Sequence, residues 1–344
     1  MAVRLKDIAE DLGVSMVTVS KVLRDKPGVG DTTRKRVRKR VRELNYRPNM
    51  LARSLASGRS YFVGMIVPDL MHTFYLEAAK GVSAVLREEC YQLFLASAEE
   101  EPELEQQEIE HLLARGVDAL LIASCQDNAG SFKYLLRSKT PYVLLDRRPP
   151  RLSGDFIGMD DIAAGRMATE HLIRIGRKRI AHIGGDSIGA SAGRLTGYKE
   201  VLNANRIPFR REFVFVRSRV QEADVEVGSH VMGDLLGLKR HPNAVFFCND
   251  HIAIGAIHCM RESNLRVPED VAVIGCGSLH FTKYLDEPLS TIDPSARQLG
   301  EEAARLALSL IAGKRNHKHK EEHLLIEPKL VARESTVGRE RGVS

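Results

Sequence analysis

The sequence predicts a small all-α head followed by a two-lobed α/β body with parallel sheets. Three observations carry that prediction. Apolar spacing is helical, with no strand signal, through Asn45. From Tyr61 onward short β-rich runs alternate with helical segments, the pattern of parallel sheets covered by helices. That alternation comes in two series, with a change-over near Asp155–Asp160 and a return near Leu289–Asp293.

In the head, Leu5, Ile8, Ala9 and Leu12 recur at i, i+3, i+4 and i+7, one apolar stripe of a helix. Gly13 breaks the pattern, and Ser15 can cap the next helix. From Met16 to Leu23 that second short helix buries Val19, Val22 and Leu23 and turns Met16, Val17, Ser20 and Lys21 outward. Two short helices about a glycine turn make a helix-turn-helix, whose second helix fits a DNA major groove; an ordinary helical hairpin would share the pattern. A third helix runs from Asp31 to Asn45, with Val37, Val41 and Leu44 on one face and a dense run of Arg and Lys on the others.

Charge separates the two readings. The first sixty residues hold fifteen Lys and Arg against six Asp and Glu, a net +9, while the remainder has 36 basic and 39 acidic residues, a net −3. A basic segment beside a helix-turn-helix points to nucleic acid at one end of the chain only.

Length and composition narrow the class. At 344 residues the chain can hold two or three domains with their own cores. No apolar run approaches a membrane span, and MAVRLKDIAE has no apolar leader segment. Cys90, Cys125, Cys248, Cys259 and Cys276 are scattered and form no CxxC pair, which predicts free thiols in a reducing cytoplasm. Neither a cofactor nor a metal is expected.

The motifs VSMVTVSKVL, LNYRPN and ARSLASGRS, in that order, resemble the lactose/galactose repressor family of bacterial transcription regulators, and the resemblance extends from about Val3 to Thr336. It implies a head over 1–47, a hinge helix and linker over 48–60, and a periplasmic-binding-protein-like body over 61–340. Lobe 1 is expected at about 61–157 plus 292–322, and lobe 2 at about 158–289 plus 323–336. It also implies a dimer on palindromic double-stranded DNA, controlled by a small-molecule effector such as a sugar.

The predicted DNA contacts rest on chemistry and resemblance together. Met16 and Val17 are apolar and can pack on thymine methyls; Lys21 can donate to guanine. Ser15, Thr18 and Ser20 are assigned to the phosphates around the recognition helix, with third-helix cations adding affinity that salt weakens. By resemblance Tyr46 and Asn49 lie near the groove. The segment from Asn49 to Gly58 is too short for a stable isolated helix, so it is expected to fold on binding. The resemblance makes Leu55 the wedge between base steps, with Leu51 and Ala52 at a helix–helix contact and Arg53 on the backbone. A flexible linker is the alternative.

In the body, strands are predicted at 61–67, 91–96, 119–123, 142–145, 156–159, 180–183, 213–216, 244–247 and 271–275. Helices are predicted at 74–89, 103–115, 162–175, 193–204, 221–236, 252–263 and 296–312. Ligands bind such sheets beyond the carboxyl ends of the strands. Candidate effector residues are therefore Asp69 and Phe74 in PDLMHTFY, Asp146 beside Arg147 in VLLDRR, Asp160 beside Asp161 in FIGMDD, Asn249 after AVFFC, and Ser278. Arg194 in GRLTGY matches an arginine that contacts effector in the family. Each has a structural alternative: Phe74 in a core, the polar residues as helix caps, Asp250 the better cap beside Asn249. Where sugar-responsive members carry an acidic pair after VAVIG, this chain has Cys276, Gly277 and Ser278, which leaves a non-sugar effector or none open.

Other classes fit less well. The glycine turn HIGGDSIG lacks dehydrogenase spacing, and no catalytic constellation is visible. An exported solute-binding protein would not carry the basic head. His317, His319 and His323 could bind a metal but read as a solvated loop.

Overall fold

The computed structural model describes residues 3–23, 25, 27–46, 54, 57–126, 128–184, 190–216, 225–313 and 321–338. The chain divides into two compact units, Met1–Ser60 and Tyr61–Ser344.

In the first unit α1 (Leu5–Leu12), α2 (Met16–Leu23) and α3 (Asp31–Glu43) enclose one core. Ile8, Ala9, Val19, Val22 and Val37 are buried in it, and Leu5, Leu12, Leu23, Val41 and Leu44 pack against them. Gly13 ends α1 at φ 64°, where its N–H reaches the carbonyls of Ala9 and Glu10. Ser15 caps α2, its Oγ accepting from the Thr18 amide at 3.1 Å. The third helix stops at Glu43 rather than Asn45, because Asn45 adopts a positive φ of 44°. Asn49, Leu51, Ala52, Arg53 and Leu55 of the expected hinge helix lie outside the described residues.

The second unit holds two six-stranded sheets. The first lobe contains β1 (Phe62–Val67), β2 (Gln92–Ser97), β3 (Ala119–Ile122), β4 (Tyr142–Leu145) and β5 (Asp155–Met159), with α4 (Thr73–Glu88), α5 (Pro102–Ala114) and α6 (Lys133–Ser138) between them. The second contains α7 (Asp161–Arg174), β6 (Ile180–Gly184), α8 (Ala190–Ala204), β7 (Val214–Val216), α9 (Val225–Leu236), β8 (Ala244–Phe247), α10 (Asp250–Glu262), β9 (Ala272–Cys276) and β10 (Ser290–Asp293). The chain then runs through α11 (Ala296–Ile311), β11 (His323–Ile326), β12 (Lys329–Val331) and α12 (Glu334–Val337). Strand order is β11-β5-β4-β3-β1-β2 in one sheet and β12-β10-β9-β8-β6-β7 in the other. All pairings are parallel except β10 with β12. Central strands such as β3 and β9 are buried throughout, as sheets covered on both faces require.

The last segments correct the expected lobe boundaries. β11 pairs with β5, so residues 323–326 belong to the first lobe and not the second. β10 pairs with β9, which puts 292 and 293 in the second lobe and not the first. The chain thus crosses between lobes after β5, after β10 and after β11. Hydropathy could not assign these short runs, because ladder partners far apart in sequence decide their place.

Three helix pairs approach backbone to backbone through glycines. A Cβ on Gly81 of α4 would lie 2.1 Å from the Arg297 carbonyl oxygen, and one on Gly300 of α11 would lie 1.9 Å from that of Ala78. Gly165 and Gly197 join α7 to α8 in the same way, and Gly228 and Gly255 join α9 to α10.

Candidate DNA-reading helix and ligand cleft

The start of α2 carries the exposed apolar pair of the head: Met16 is 52% and Val17 64% solvent-exposed, on a helix whose opposite face is fully buried. Lys21 is exposed beside them, while Ser20 and Tyr46 are half-buried. Tyr46 packs against the head core. The hydroxyls of Ser15 and Thr18 bond each other at 2.9 Å, so both serve the turn.

The basic third helix does less at its surface than its composition suggests. Arg36 donates to the Leu12 carbonyl at 3.1 Å and ties α3 to the end of α1. Arg34 and Arg38 both bind Asp25; Arg40 binds Asp11 and Glu43. Four of the arginines assigned to DNA backbone therefore brace the head. Lys35 is exposed and has no ion-pair partner among the described residues.

In the body, the carboxyl ends of β5, β8 and β9 face a cleft lined by His72, Phe74, Asp146, Met159, Arg194, Cys248, Asn249, Cys276, Gly277 and Pro294. Four of the seven predicted effector residues meet there: Phe74, Asp146, Arg194 and Asn249. The space among them is about 30 Å³, room for a single water. Phe74 and Gly277 also border a wider groove of about 770 Å³, which takes in Ser278, Lys80, Arg297 and Glu301. A sugar-sized ligand would have to part the lobes or enter from that groove.

Arg194 lies deep in the cleft wall. Its Nε donates to Asp161 Oδ1 at 2.9 Å and its Nη1 to the Cys248 carbonyl. Burial pushes the Asp161 carboxyl up to about 7, against the pull of the Arg194 guanidinium. Asp146, at φ 61°, accepts from the Tyr75 hydroxyl at 3.0 Å. His72, at the start of α4, faces His251 of α10 with ring centroids 6.2 Å apart, which brings one residue of each lobe together.

The other candidates have local structural roles. Asp69 accepts from the Met71 amide at 2.7 Å in a turn. Asp160 caps α7, its Oδ1 accepting from the Ala163 amide at 2.9 Å. Ser278, at φ 55°, borders the groove and not the cleft.

At Asn249 the two expected roles combine. Asn249, not Asp250, caps α10 by accepting from the Ile252 amide at 2.8 Å. Its Nδ2 is buried at the cleft without a hydrogen-bond partner among the described residues. Asp250 turns inward, accepting from the Leu279 amide at 2.9 Å and the Thr291 hydroxyl at 2.7 Å, and burial raises its carboxyl to about 6. Gly277 sits at φ 132°, a glycine conformation, and a Cβ there would lie 3.7 Å from Asp250 Oδ2. Backbone and charge both disfavour an aspartate at that position.

His72 and Cys248 are not among the residues the sequence offers for the cleft. His72 sits two residues before Phe74, and Cys248 directly precedes Asn249. The deciding signal in each case is the direction of the side chain or carbonyl, which spacing alone does not give.

A helix-turn-helix head on a two-lobed body with a cleft at its strand ends defines a DNA-binding transcriptional regulator. Residues 4–49 match the bacterial regulatory proteins of the lacI family, and residues 169–336 match the periplasmic binding protein-like domain. The chain is 33% identical over 335 residues to the HTH-type transcriptional repressor PurR of Mannheimia succiniciproducens strain KCTC 0769BP / MBEL55E, covering 96% of this chain and 98% of that protein. The chain belongs to the lacI family of bacterial regulatory proteins. Its fold is similar to that of the Lac repressor dimer bound to operator and the anti-inducer ONPF (TM-score 0.79, 26% identity, 98% of this chain and 99% of that one). It is also similar to the transcriptional regulator CelR in its cellobiose complex (TM-score 0.71, 28% identity, 97% and 99%). No helix among the described residues is long and apolar enough to cross a membrane.

Proposed function

We propose that this protein is a repressor that binds a palindromic operator as a homodimer and is controlled by a small metabolite held between the lobes. It does its work in the cytoplasm on chromosomal DNA and catalyses no reaction. The observation that carries the reading is the exposed Met16–Val17 pair at the start of α2, apolar side chains held outward by a fully packed three-helix core. Such a surface fits thymine methyls in a major groove. The relatives support dimer and effector: a Lac repressor dimer is described on operator with an anti-inducer, and CelR with cellobiose.

In this reading Phe74 stacks on the effector ring, Asn249 Nδ2 donates to one of its oxygens, and Arg194 and Asp146 fix its polar edge. Effector binding then biases lobe separation and, through Leu55 and its segment, the affinity for DNA. A sugar or related metabolite fits the donors present. Gly277 favours a ligand that needs no carboxylate at that corner, which is the second reading: a regulator answering to a non-sugar molecule.

The test is selection of binding sites from random duplex DNA with the full-length protein at near-physiological salt, with and without a metabolite pool. Recovery of a palindrome with a flexible central step, lost on Leu55→Ala, supports the proposal. Binding that merely falls with salt in both arms, with no palindrome, overturns it.

A further inference from the structure

The second lobe concentrates positive charge at the edge of its sheet opposite the cleft. β7, β6 and β8 are neighbours and parallel, so the loops entering them lie side by side. Each of those loops is cationic: Arg177, Lys178 and Arg179 before β6, Arg210 and Arg211 before β7, Lys239 and Arg240 before β8. This occurs in a body whose overall charge is slightly negative.

The three loops enclose a hollow of about 360 Å³ lined by Arg179, Arg210, Lys239, Arg240 and His241, with no carboxylate in the lining. Its walls are held in place. The Arg179 amide donates to Asn243 Oδ1 at 3.0 Å and its Nε to the His241 carbonyl at 2.9 Å. Arg210 stacks over the Phe213 ring at 5.5 Å and forms a long ion pair of 3.9 Å with Glu212, whose side chain is exposed. Lys239 and Arg240 are exposed and have no ion-pair partner among the described residues.

We propose that this hollow binds a small anion carrying two or more phosphate groups. Four permanent cations around one space repel each other, and an occupant with a single charge would leave most of that repulsion in place. Each phosphate group brings up to about two negative charges and several acceptor oxygens, which guanidinium forks and ammonium groups match. The shape points the same way. A hollow of this volume falls in the range of small-ligand pockets, whereas nucleic acid needs an extended stripe. The site lies at the end of the strands opposite the cleft, so its occupant is a second ligand, separate from the effector.

The experiment is calorimetric titration of the full-length protein with inorganic tripolyphosphate. One saturable site per chain is expected. Binding should weaken at least tenfold in Lys239→Glu/Arg240→Glu, with the melting temperature unchanged, and stay as in wild type in the head variant Lys35→Glu/Lys39→Glu. If the double charge reversal does not fold, Lys239→Gln/Arg240→Gln should show the same direction of loss. Unchanged binding in the lobe variants overturns the proposal, as does loss confined to the head variant or equal affinity for orthophosphate. Displacement of tripolyphosphate from the head variant by a non-operator DNA duplex overturns it in favour of a nucleic-acid surface.

Discussion

Arg194 of α8 donates to Asp161 of α7 at 2.9 Å, and the same guanidinium reaches the Cys248 carbonyl at the end of β8. One side chain thus fastens two helices and a strand end at the floor of the cleft. Arg194→Met leaves a buried carboxylate without its partner and is expected to cost about 3 kcal/mol, read by urea unfolding at pH 8. Without the guanidinium the Asp161 pKa rises further above about 7, so at pH 6 the carboxyl takes a proton and the penalty shrinks. Equal losses at both pH values would mean that the pair contributes through packing alone.

Asn249 offers a way to separate capping from ligand binding. Asn249→Asp keeps the oxygen that accepts from the Ile252 amide and removes the donor that faces the cleft. At pH 8 the buried carboxylate of Asn249→Asp should cost about 2 kcal/mol, a loss that acidification relieves, whereas Asn249→Ala should lose about 1 kcal/mol with the cap at either pH. Effector affinity should fall about tenfold in both variants, the worth of one hydrogen bond of about 1.4 kcal/mol. Retained affinity in Asn249→Asp would remove Asn249 from the ligand site.

His182 predicts a pH dependence of folding. Its Nδ1 hydrogen-bonds the Phe246 carbonyl at 3.1 Å, and the ring stacks between Phe246 and Tyr198. Burial lowers its pKa to about 4, against about 6.5 in an unfolded chain. The unfolded state therefore binds the extra proton first as the solution is acidified. The stabilisation is complete above pH 6.5 and is lost as pH falls toward 4, up to about 3 kcal/mol. Denaturant melts at pH 7.5 and 4.5 should show this loss, and His182→Gln should flatten it.

In the head, affinity and its salt dependence should come apart. Met16→Ala and Val17→Ala should weaken operator binding by about 1 kcal/mol each, with the slope against log salt unchanged, because neither touches a phosphate. Lys35→Ala should lower that slope by about one unit if Lys35 neutralises a phosphate. Arg36→Ala should show mainly as a lower melting temperature, since its guanidinium holds the Leu12 carbonyl.

Much of the fold was legible because its signals are local. The stripe of Leu5, Ile8, Ala9 and Leu12, the Gly13 break and the Ser15 cap each act within a few residues, and the predicted helices and central strands formed within a few residues of their places. β11 was misplaced because its partner β5, far back in the sequence, alone decides which sheet takes it. The site shows the same division. Asp160-Asp161 and Asn249-Asp250 both follow a strand and open a helix, and in both pairs the first residue caps while the second turns inward, Asp161 half-buried against Arg194 and Asp250 fully buried. Spacing offers Asp160 and Asp161 alike for the ligand and prefers Asp250 for the cap, which Asn249 makes instead. Composition assigned the third-helix arginines to phosphates because it does not show Asp11, Asp25 and the Leu12 carbonyl closing on them.

At the glycine crossings of α4 with α11, α7 with α8, and α9 with α10 the two backbones meet directly, with no side chain standing between them at the point of closest approach. Each lobe is on that account a stiff casting, and compliance is left to the strand crossings after β5, β10 and β11. A small rotation at those crossings moves the far end of a lobe in proportion to its distance from them, as a lever arm does. Gly255→Ala, whose new methyl would overlap the Val225 carbonyl at 1.8 Å, should cost about 2 kcal/mol in thermal unfolding. It should also lower the gain of the lever, so that the same ligand occupancy produces a smaller change in DNA affinity.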